Sequence, residues 1–443
     1  MIHLANILIA SDDAAFCQTL LRMVRGYGYV GDVVSSLNEA MNSTRNEHPD
    51  LLLLGPTLTG GTALDLARAL RLDPVCQDIP LCLLAAACTP DEKRAALEAG
   101  IDDVVTAPWS DDKLLAHLRP LVRIATMYVE LQQRAGAAHF MGIAAAAAVP
   151  PLALPERCSL LLVGADLPAL QAALDGDAVA RAADPFVAEA LLDDNSFDAA
   201  ILALPAQTDD SRVQPYLDLC AQLRNNPRLF NLPVVVVSDA AAFDEATAYR
   251  HGVSAFFPER FDRDDLRVTV QSLVRRQRLR WAIRQAIAGT QAEAALDQGT
   301  TAYSRAFFDR YLADRLDFAA RHGRHLALMF FRVPDIEGVR QRFGDEAAAH
   351  LRLQVSQWII SLLRGEDLTA RTDENEFCVV LPDTPRDEAA IVMHRIAGVL
   401  AYTDFAVKDV YQPVKVWVRV GASDYHPGDD VAALVGRAHR EMQ

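Results

Sequence analysis

Two short runs in the last third of the chain concentrate carboxylates, and the first of them also contains an arginine. The first is Arg364-Gly-Glu-Asp367 and the second, starting six positions after it, is Asp373-Glu-Asn-Glu-Phe377. A guanidinium can donate two parallel hydrogen bonds to the O6/N7 edge of guanine, and a carboxylate can accept from the N1 and N2 donors of another guanine edge. The i, i+3 spacing puts Arg364 and Asp367 on one side of a helix end or turn. This pair therefore suits a ligand that presents several guanine edges in a stack.

The tetrapeptide is weak evidence when it is taken alone. An Arg-x-x-Asp pattern occurs four times in the chain, and the other three copies are Arg181–Asp184, Arg332–Asp335 and Arg342–Asp345. An ordinary surface ion pair is therefore the alternative interpretation of Arg364 and Asp367.

The overall charge limits which nucleic-acid ligands the chain can bind. The 443 residues include 43 Lys and Arg against 59 Asp and Glu, which gives a formal net charge of −16. Such a chain repels a polyphosphate backbone, so we expect no broad nucleic-acid binding. A mononucleotide or dinucleotide in a small arginine-lined pocket is compatible with this charge.

Length and composition predict a cytoplasmic protein of several domains. At roughly 150 residues per domain, the chain has room for about three, and the hydrophobic fraction of 51% can fill their cores. The seven cysteines form no C-x-x-C pair, which argues against structural zinc and a disulfide framework. The N-terminus lacks a basic and then apolar signal, and the apolar run Ala144–Val149 is too short to span a membrane.

The first 125 residues alternate short apolar runs with amphipathic stretches. The runs Ile7–Ala10, Leu51–Leu54 and Leu81–Leu84 are typical of buried parallel strands, and helical spacing lies between them. The pattern predicts an α/β module with a doubly wound parallel sheet. It recurs at Ser159–Val163 and Ala199–Leu204, which indicates an internal duplication. We place the first module at 1–125, a linker at 126–157, the second module at 158–285 and a last domain at 286–443.

The last third of the chain mixes helices and strands in an order that predicts an α+β sheet domain. We expect one of its strands at Val414–Val420, and we expect Trp358 and Trp417 in its core. Ahead of it, Asp262–Leu296 predicts one long helix. Its arginines, between positions 275 and 284, are interpreted as a solvated basic face.

The two modules resemble the receiver domains of response regulators, which have a CheY-like, flavodoxin-like fold. In the first module the resemblance rests on PDLLLLGP at 49–56 and EAGIDDVVTAP at 98–108. It implies an acidic pair for Mg²⁺, an Asp phosphoryl acceptor, a hydroxyl and a Lys. The acceptor position is Gly55, the hydroxyl position is Ala85 and the Lys position is Ala107, while Asp12 keeps part of the acidic pair.

The second module departs from the receiver pattern in a similar way. Its acceptor position is Ala203, its hydroxyl position is Ser238 and its Lys position is Glu259. Asp50 and Asp198 precede their strands, so they lie at the wrong end of the sheet to replace the acceptor. Because phosphoryl transfer needs its groups to act together, we predict two pseudo-receivers.

The last domain resembles the GGDEF domain of diguanylate cyclases over nearly all of 297–443. The resemblance rests on Asp297-Gln-Gly-Thr300, Phe343-Gly-Asp345 and the run from Arg364 to Pro382. With two receivers in front of it, the chain resembles the PleD-type family, and within that family the non-catalytic, PopA-like members.

The resemblance implies that the cyclase site is degenerate and holds no catalytic metal. The family's two glycines, its metal-binding acid and the following Glu correspond to Asp373, Glu374, Asn375 and Glu376. The second metal-binding Asp corresponds to Arg332, which repels a divalent cation, and the guanine-binding residues fall on Arg340 and Gln341. We also expect the family's phosphate-clamping cations to be missing, because the sequence stops at Gln443. Two-metal phosphoryl transfer cannot proceed without its ligands.

The resemblance implies that a ligand site survives. In this family an R-x-x-D motif ahead of the GGDEF motif is the inhibitory site for cyclic di-GMP, and here it corresponds to Arg364 and Asp367, with Arg395 as the auxiliary arginine. We therefore predict a non-catalytic cyclic di-GMP effector.

The resemblance also implies partners, and two other functions stay open. It implies a homodimer through the receivers, recruitment to a cell pole, and partner proteins such as a protease adaptor in cell-cycle control. One alternative is a ligand-independent scaffold that dimerises through the face formed by the fourth helix, fifth strand and fifth helix of each receiver. The other is a weakly active diguanylate cyclase that tolerates its variant motif.

Overall fold

The computed structural model describes residues 5–204, 210–226, 228–239, 243–408 and 410–442. Contacts divide the chain into two compact units. The first, here called the tandem unit, comprises Asn6–Ala125 and Pro150–Ala282. The second, here called the C-terminal unit, contains Thr126–Val149 and the described part of Ile283–Gln443. Gln443 lies outside the described residues.

The first module of the tandem unit is built on a five-stranded parallel sheet. Its strands are β1 (Asn6–Ala10), β2 (Val30–Val34), β3 (Leu51–Leu54), β6 (Leu81–Ala85) and β7 (Asp103–Thr106), with a small hairpin of β4 (Thr57–Leu58) and β5 (Gly61–Thr62). Its helices are α1 (Ala14–Gly26), α2 (Leu37–Glu47), α3 (Ala63–Leu72), α4 (Pro90–Glu98) and α5 (Asp111–Phe140). The order β2-β1-β3-β6-β7 confirms the predicted doubly wound sheet.

The second module repeats this topology. Its strands are β8 (Ser159–Gly164), β9 (Ala178–Ala182), β10 (Ala199–Ala203), β11 (Val234–Val237) and β12 (Ala255–Phe257), in the order β12-β11-β10-β8-β9. Its helices are α6 (Pro168–Ala173), α7 (Pro185–Asp194), α8 (Asp210–Asn225), α9 (Glu245–Arg250) and α10 (Arg263–Ala288). The strand order read from the other edge is that of the first module.

The duplication extends to individual side chains. In the first module, Arg71 Nε donates to Gly100 O at 2.9 Å, and in the second, Arg224 Nε donates to Gly252 O at 2.8 Å. Both glycines have positive φ, +100° and +82°, a conformation that glycine adopts without strain. Each module therefore closes the turn before its last strand with the same arginine–glycine contact.

The arginines of α10 mostly pack against protein, so the prediction of a solvated basic face is wrong. Arg275 donates to Leu97 O at 2.8 Å and to Ile101 O at 2.6 Å, and Arg276 pairs with Asp103 at 2.7 Å. Both arginines are buried. The physical reason is that α4 ends next to α10, and the last carbonyls of a helix need donors from outside it.

The two modules pack against each other through like faces. Lys93 of α4 pairs with Asp265 of α10 at 2.9 Å, and Lys113 of α5 pairs with Glu245 of α9 at 3.0 Å. The face formed by the fourth helix, fifth strand and fifth helix of the first module is thus covered within the chain. A receiver-mediated homodimer, which remains a prediction, would have to use other surfaces.

The C-terminal unit is built on a four-stranded antiparallel sheet. Its strands are β13 (Leu326–Arg332), β14 (Leu368–Asp373), β15 (Glu376–Pro382) and β16 (Arg419–Asp424), in the order β14-β15-β13-β16. Its helices are α11 (Arg305–His322), α12 (Asp335–Phe343), α13 (Asp345–Ser361), α14 (Arg386–Tyr402) and α15 (Val431–Arg440). Alternate residues of β13 enter two cores, with Met329 and Phe331 in one and Leu328 and Phe330 in the other.

Two details of this domain differ from the sequence-based expectations. The strand expected at Val414–Val420 is β16, which begins only at Arg419; α15 packs closely on its backbone, because a Cβ added at Gly421 would overlap a carbonyl of that helix. Trp358 and Trp417 are 40% and 80% exposed, so they are not core residues. Among the described residues, no helix is long and apolar enough to cross a membrane.

Candidate functional site

The Arg364–Asp367 segment, here called the RxxD turn, connects the region after α13 to the start of β14. Asp367 Oδ2 accepts a hydrogen bond from Arg364 N at 2.8 Å, and Asp367 N donates to Arg364 O at 3.2 Å. These two bonds make the predicted i, i+3 turn. The Arg364 side chain is exposed and forms no ion pair or hydrogen bond with any described residue.

Arg395 lies on α14, close to the approach to the RxxD turn. Its Nη2 donates to Leu362 O at 3.1 Å, and its side chain is exposed. The cleft at the RxxD turn is lined by Arg364 and Asp367, and Arg395 does not line it. Of the three residues predicted from the resemblance, the structure therefore brings two together in one cleft and places the third beside it.

The cleft contains two arginines that the sequence analysis did not assign to a site. Its volume is about 170 Å³, and Arg134 of α5 and Arg284 of α10 line it together with Gln291 and Tyr303. Arg134 Nη2 donates to Glu366 O, inside the RxxD turn, at 2.6 Å. Arg284 was noted only as part of a basic helix face. The sequence pattern does not indicate that Arg134 contacts the RxxD turn, because 232 positions separate it from Glu366.

The Asp373–Glu376 segment forms a tight hairpin between β14 and β15 and is here called the cyclase turn. The buried Glu376 carboxylate accepts from Arg332 Nη2 at 2.6 Å and from Arg332 Nε at 3.1 Å. Its other oxygen accepts from Thr372 Oγ1 at 2.9 Å and lies 3.2 Å from His439 Nε2. The arginine that replaces a metal-binding acid is thus bound to the acid that the motif keeps.

A second ion pair covers the outer side of the cyclase turn. Arg340 Nη2 donates to Glu374 Oε2 at 2.7 Å, and this hydrogen bond lowers the pKa of the Glu374 carboxyl. The resemblance places Arg340 and Glu374 at two positions of the cyclase site, and in the structure these two side chains pair with each other.

The residues at the cyclase turn do not fit the divalent metal that the family implies. The guanidinium of Arg332 occupies one acid's place, and the amide of Asn375 replaces another. Within the described ranges, no group of three or more His, Cys, Asp and Glu side chains could hold a metal ion.

The receiver pocket of the first module is filled at the acceptor position. A Cβ added at Gly55 would overlap Ser11 Oγ, so the buried Ser11 side chain takes the place of an acceptor side chain. Asp12, the remaining acid, accepts from Thr57 Oγ1 at 2.7 Å. Neither Ala85 nor Ala107 supplies a polar side chain, as the sequence implied.

The receiver pocket of the second module is closed by a tyrosine. Gly164, with φ of +98°, has no room for a Cβ because Ala203 O and the Tyr216 hydroxyl meet at that point. At the position of the family's Lys, Glu259 donates its backbone N–H to Asp239 Oδ1 at 3.0 Å. Ser238, which the resemblance places at the hydroxyl position, follows β11 and is buried.

The two aspartates that precede strands have structural partners at the other edge of each sheet. Asp50 Oδ2 accepts from Asn6 N at 2.7 Å, and Asp198 Oδ2 accepts from Ser159 N at 2.9 Å. Arg278 also pairs with Asp198 at 2.7 Å. Both carboxylates therefore tie the starts of neighbouring strands together, away from the receiver pockets.

Comparison with protein families finds two matches. Residues 7–119 match the response regulator receiver domain, and residues 294–443 match the diguanylate cyclase GGDEF domain.

Known proteins similar to the chain include two response regulators and one GGDEF domain of solved structure. The response regulator PleD of Caulobacter vibrioides is 25% identical over 439 residues, covering 98% of this chain and 95% of its own length. The DNA-binding response regulator MtrA of Mycobacterium tuberculosis is 32% identical over 118 residues, 27% of this chain and 50% of its own. The GGDEF domain of DgcB from Caulobacter crescentus, solved in complex with c-di-GMP, is 18% identical with a TM-score of 0.33, over 34% of this chain and 85% of that one.

Proposed function

Because the chain carries a receiver domain at residues 7–119 and a GGDEF domain at residues 294–443, related over its length to PleD, we propose that it is a non-catalytic effector that binds cyclic di-GMP at the RxxD turn. Arg364 and Asp367 bind the guanine edges, and Arg395 acts as the auxiliary arginine. This is the PopA-like role within the two-receiver architecture.

The observation that carries this proposal is the contrast in charge at the RxxD turn. The chain as a whole has a net charge of −16, yet three arginines and one aspartate line one small cleft. Arg364 has no partner among the described residues, so no existing contact must break before it binds a ligand. A dinucleotide with two phosphates and two guanines matches this cleft in charge and in hydrogen-bonding groups.

The absence of catalysis is supported by the contacts of the cyclase turn. Arg332 and Arg340 pair with the acids of that turn, Glu376 and Glu374, so these carboxylates are bound to guanidinium groups and are not available to a divalent cation. Metal-assisted phosphoryl transfer depends on those ligands.

Titration calorimetry with cyclic di-GMP on the full chain tests the proposal. We expect wild type to bind and Arg364→Ala to lose roughly 5–150-fold in affinity, the range for one bidentate arginine–guanine contact. Arg321→Ala is the matched control, because Arg321 is exposed and its one ion pair within the described residues is with its helix neighbour Asp317 at 2.7 Å. No binding by wild type, or equal affinity of Arg364→Ala and wild type, would contradict the proposal.

A turnover assay tests the non-catalytic part. Incubation of the full chain with GTP and Mg²⁺ should yield no cyclic di-GMP above a blank without protein. Steady formation of product would instead favour the weakly active cyclase.

The proposed effector acts by recruiting protein partners. A ligand that binds one conformation better increases its population, and that conformation presents the recruiting surface. From the resemblance we propose a protease adaptor as the partner, with recruitment to a cell pole during the cell cycle. Partner capture from cell extract by wild type and Arg364→Ala, with and without cyclic di-GMP, should show capture only where ligand binds.

The ligand-independent scaffold remains the second candidate because of one observation. The two pseudo-receivers pack through like faces inside the tandem unit, and no ligand is needed for the ion pairs Lys93–Asp265 and Lys113–Glu245. If Arg364→Ala captures partners as well as wild type does, the scaffold is the better description.

A further inference from the structure

The two inner residues of the RxxD turn are each contacted by a different helix. Arg134 of α5 donates to Glu366 O at 2.6 Å, and both residues are buried. The Arg284 side chain of α10 lies over Gly365, since a Cβ added there would be 3.2 Å from Arg284 Cγ and Nε. Arg364, Gly365 and Asp367 of the turn line the cleft, and so do the two arginines that contact its inner residues.

We propose that Arg284 is a further ligand-binding residue of this cleft and that Arg134 is the residue that positions the RxxD turn. The inference rests on the proposed function, because the ligand is the same guanine dinucleotide. It adds to that site two residues from helices that begin outside the C-terminal unit.

The surroundings of Arg284 are those of a cation that lacks a counterion. Its side chain is exposed, lines the cleft with Arg364, and makes no hydrogen bond or ion pair within the described ranges. Two unpaired guanidinium groups in one cleft repel each other, and an anion between them removes that repulsion. A guanidinium binds phosphate oxygens with two parallel hydrogen bonds. Arg284 therefore suits a phosphate of the dinucleotide, while Arg364 reads a guanine edge.

Arg134 differs from Arg284 because it is held in place. It is only 2% exposed, its guanidinium lies 3.5 Å from Glu130, and it sits 5.9 Å from the Tyr303 ring centre. Glu130 is itself fixed by Arg315 at 2.9 Å. A side chain anchored in this way cannot swing toward a ligand, but it can fix the carbonyl of Glu366 and with it the shape of the turn.

The shape of the cleft depends on where two long helices end, because each of them carries one of its arginines. α5 runs from Asp111 to Phe140 and α10 from Arg263 to Ala288, and both begin at residues of the tandem unit. A shift of either helix end changes the position of Arg134 or Arg284 against the turn. Ligand affinity and helix position are then coupled in both directions.

Calorimetry with cyclic di-GMP on the full chain tests the role of Arg284. We expect Arg284→Ala to lose about tenfold or more in affinity, in the range for a hydrogen bond to a charged group, with an unchanged melting temperature. Its binding should also weaken less with added salt than that of wild type, because one cationic contact is gone. Gln285→Ala, the next exposed position on the same helix, should bind as wild type does.

A second variant removes the contact without removing the charge. Gly365→Ala places a methyl group against Arg284, and we expect it to weaken binding by displacing that side chain. If Arg284→Ala and Gly365→Ala both bind like wild type while Arg364→Ala does not, the inference about Arg284 is wrong and the proposed function stands. If wild type does not bind at all, the proposed function itself fails.

The positioning role of Arg134 has its own readout. Arg134→Met should weaken binding with the wild-type salt dependence, and Arg134→Lys, which keeps a donor for Glu366 O, should recover part of the affinity. If Arg134→Met takes one of the two arginines from the buried Glu130 and unfolds the domain, the double variant Glu130→Gln/Arg134→Met removes both charges and takes its place. Wild-type affinity in either of these charge-removing variants would overturn the positioning role.

Discussion

The RxxD turn and the cyclase turn lie at opposite ends of the same short strand, β14, but they differ in whether their arginine is paired with a carboxylate. At the cyclase turn, Arg332 is bound by the buried carboxylate of Glu376 at 2.6 Å. At the RxxD turn, the exposed side chain of Arg364 has no partner among the described residues. Paired charges stabilise the fold, whereas an unpaired charge in a cleft is available to a ligand. The structure thus separates a turn whose neighbouring arginine is bound within the fold from the turn that we propose as the ligand site.

A fully buried ion pair extends this comparison to three sites that differ in how deeply their charged side chains are buried. Asp103 of β7 pairs with Arg276 at 2.7 Å and with His117 at 2.8 Å, and all three side chains are nearly inaccessible to solvent. Stability should therefore depend most on Asp103, less on Arg332 and least on Arg364, while ligand affinity should depend on Arg364 alone of the three.

The largest expected effect on stability comes from Asp103→Ala. Removing one partner of a buried ion pair leaves an uncompensated buried charge, which costs about 3–5 kcal/mol. Chemical denaturation of the full chain, followed through the unfolding transition of the tandem unit, measures this loss of stability. A loss below about 1 kcal/mol would show that burial does not set the order of the series.

The same residue predicts how stability depends on pH. Burial alone would raise the pKa of the Asp103 carboxyl, but Arg276 and His117 outweigh it and hold the pKa well below its usual range. A carboxyl with a lowered folded pKa contributes stability that is complete above its unfolded value of about 4 and is lost as the pH falls below it. Melting temperatures should therefore fall progressively as the pH is lowered below about 4 in wild type, and this fall should be smaller in Asp103→Asn.

The intermediate effect is that of Arg332→Ala. Glu376 would stay buried without its strongest partner, but Arg332 is 45% exposed, so water screens part of the loss. We expect a destabilisation of about 1–2 kcal/mol, which is below the full cost of breaking a buried pair, and unchanged affinity for cyclic di-GMP. Thermal melting and calorimetry on one preparation measure both. A fall in ligand affinity as large as that of Arg364→Ala would mean that the two turns are not independent.

The smallest effect on stability is expected for Arg364→Ala. Since its side chain is exposed and unpaired, its removal should change the free energy of unfolding by no more than about 0.5 kcal/mol, although it removes the main ligand contact. A melting temperature several degrees lower than that of wild type would indicate that Arg364 supports the turn itself.

The sequence predicted the parts of this comparison that are local along the chain. Arg364 and Asp367 are three positions apart, and the turn that joins them follows from that spacing. Arg134 and Arg284 could not be found in this way, because only the packing of α5 and α10 in the C-terminal unit brings them to the cleft. The arginines of α10 were misinterpreted for the same reason: nothing in the pattern of Arg275 and its neighbours shows that carbonyls of α4 lie opposite. The start of β16 differs because the alternating Val414, Val416 and Val418 continue the strand pattern, whereas Val414 pairs with Phe405 and only Arg419–Asp424 pairs with β13.

The last prediction is an expected null result that tests whether Arg332 by itself prevents turnover at the cyclase turn. The variant Asp373→Gly/Glu374→Gly/Asn375→Asp restores the family sequence at the turn, but Arg332 still occupies the place of the second metal-binding acid. We therefore expect no cyclic di-GMP from GTP and Mg²⁺, because a guanidinium bound to Glu376 repels the cation that phosphoryl transfer needs. Adding Arg332→Asp removes the guanidinium that repels the divalent cation. Cyclic di-GMP formation in the fourfold variant but not in the threefold variant would therefore show that Arg332 prevents turnover. Turnover already in the threefold variant would show instead that the residues at 373–375, and not the Arg332–Glu376 ion pair, prevent turnover.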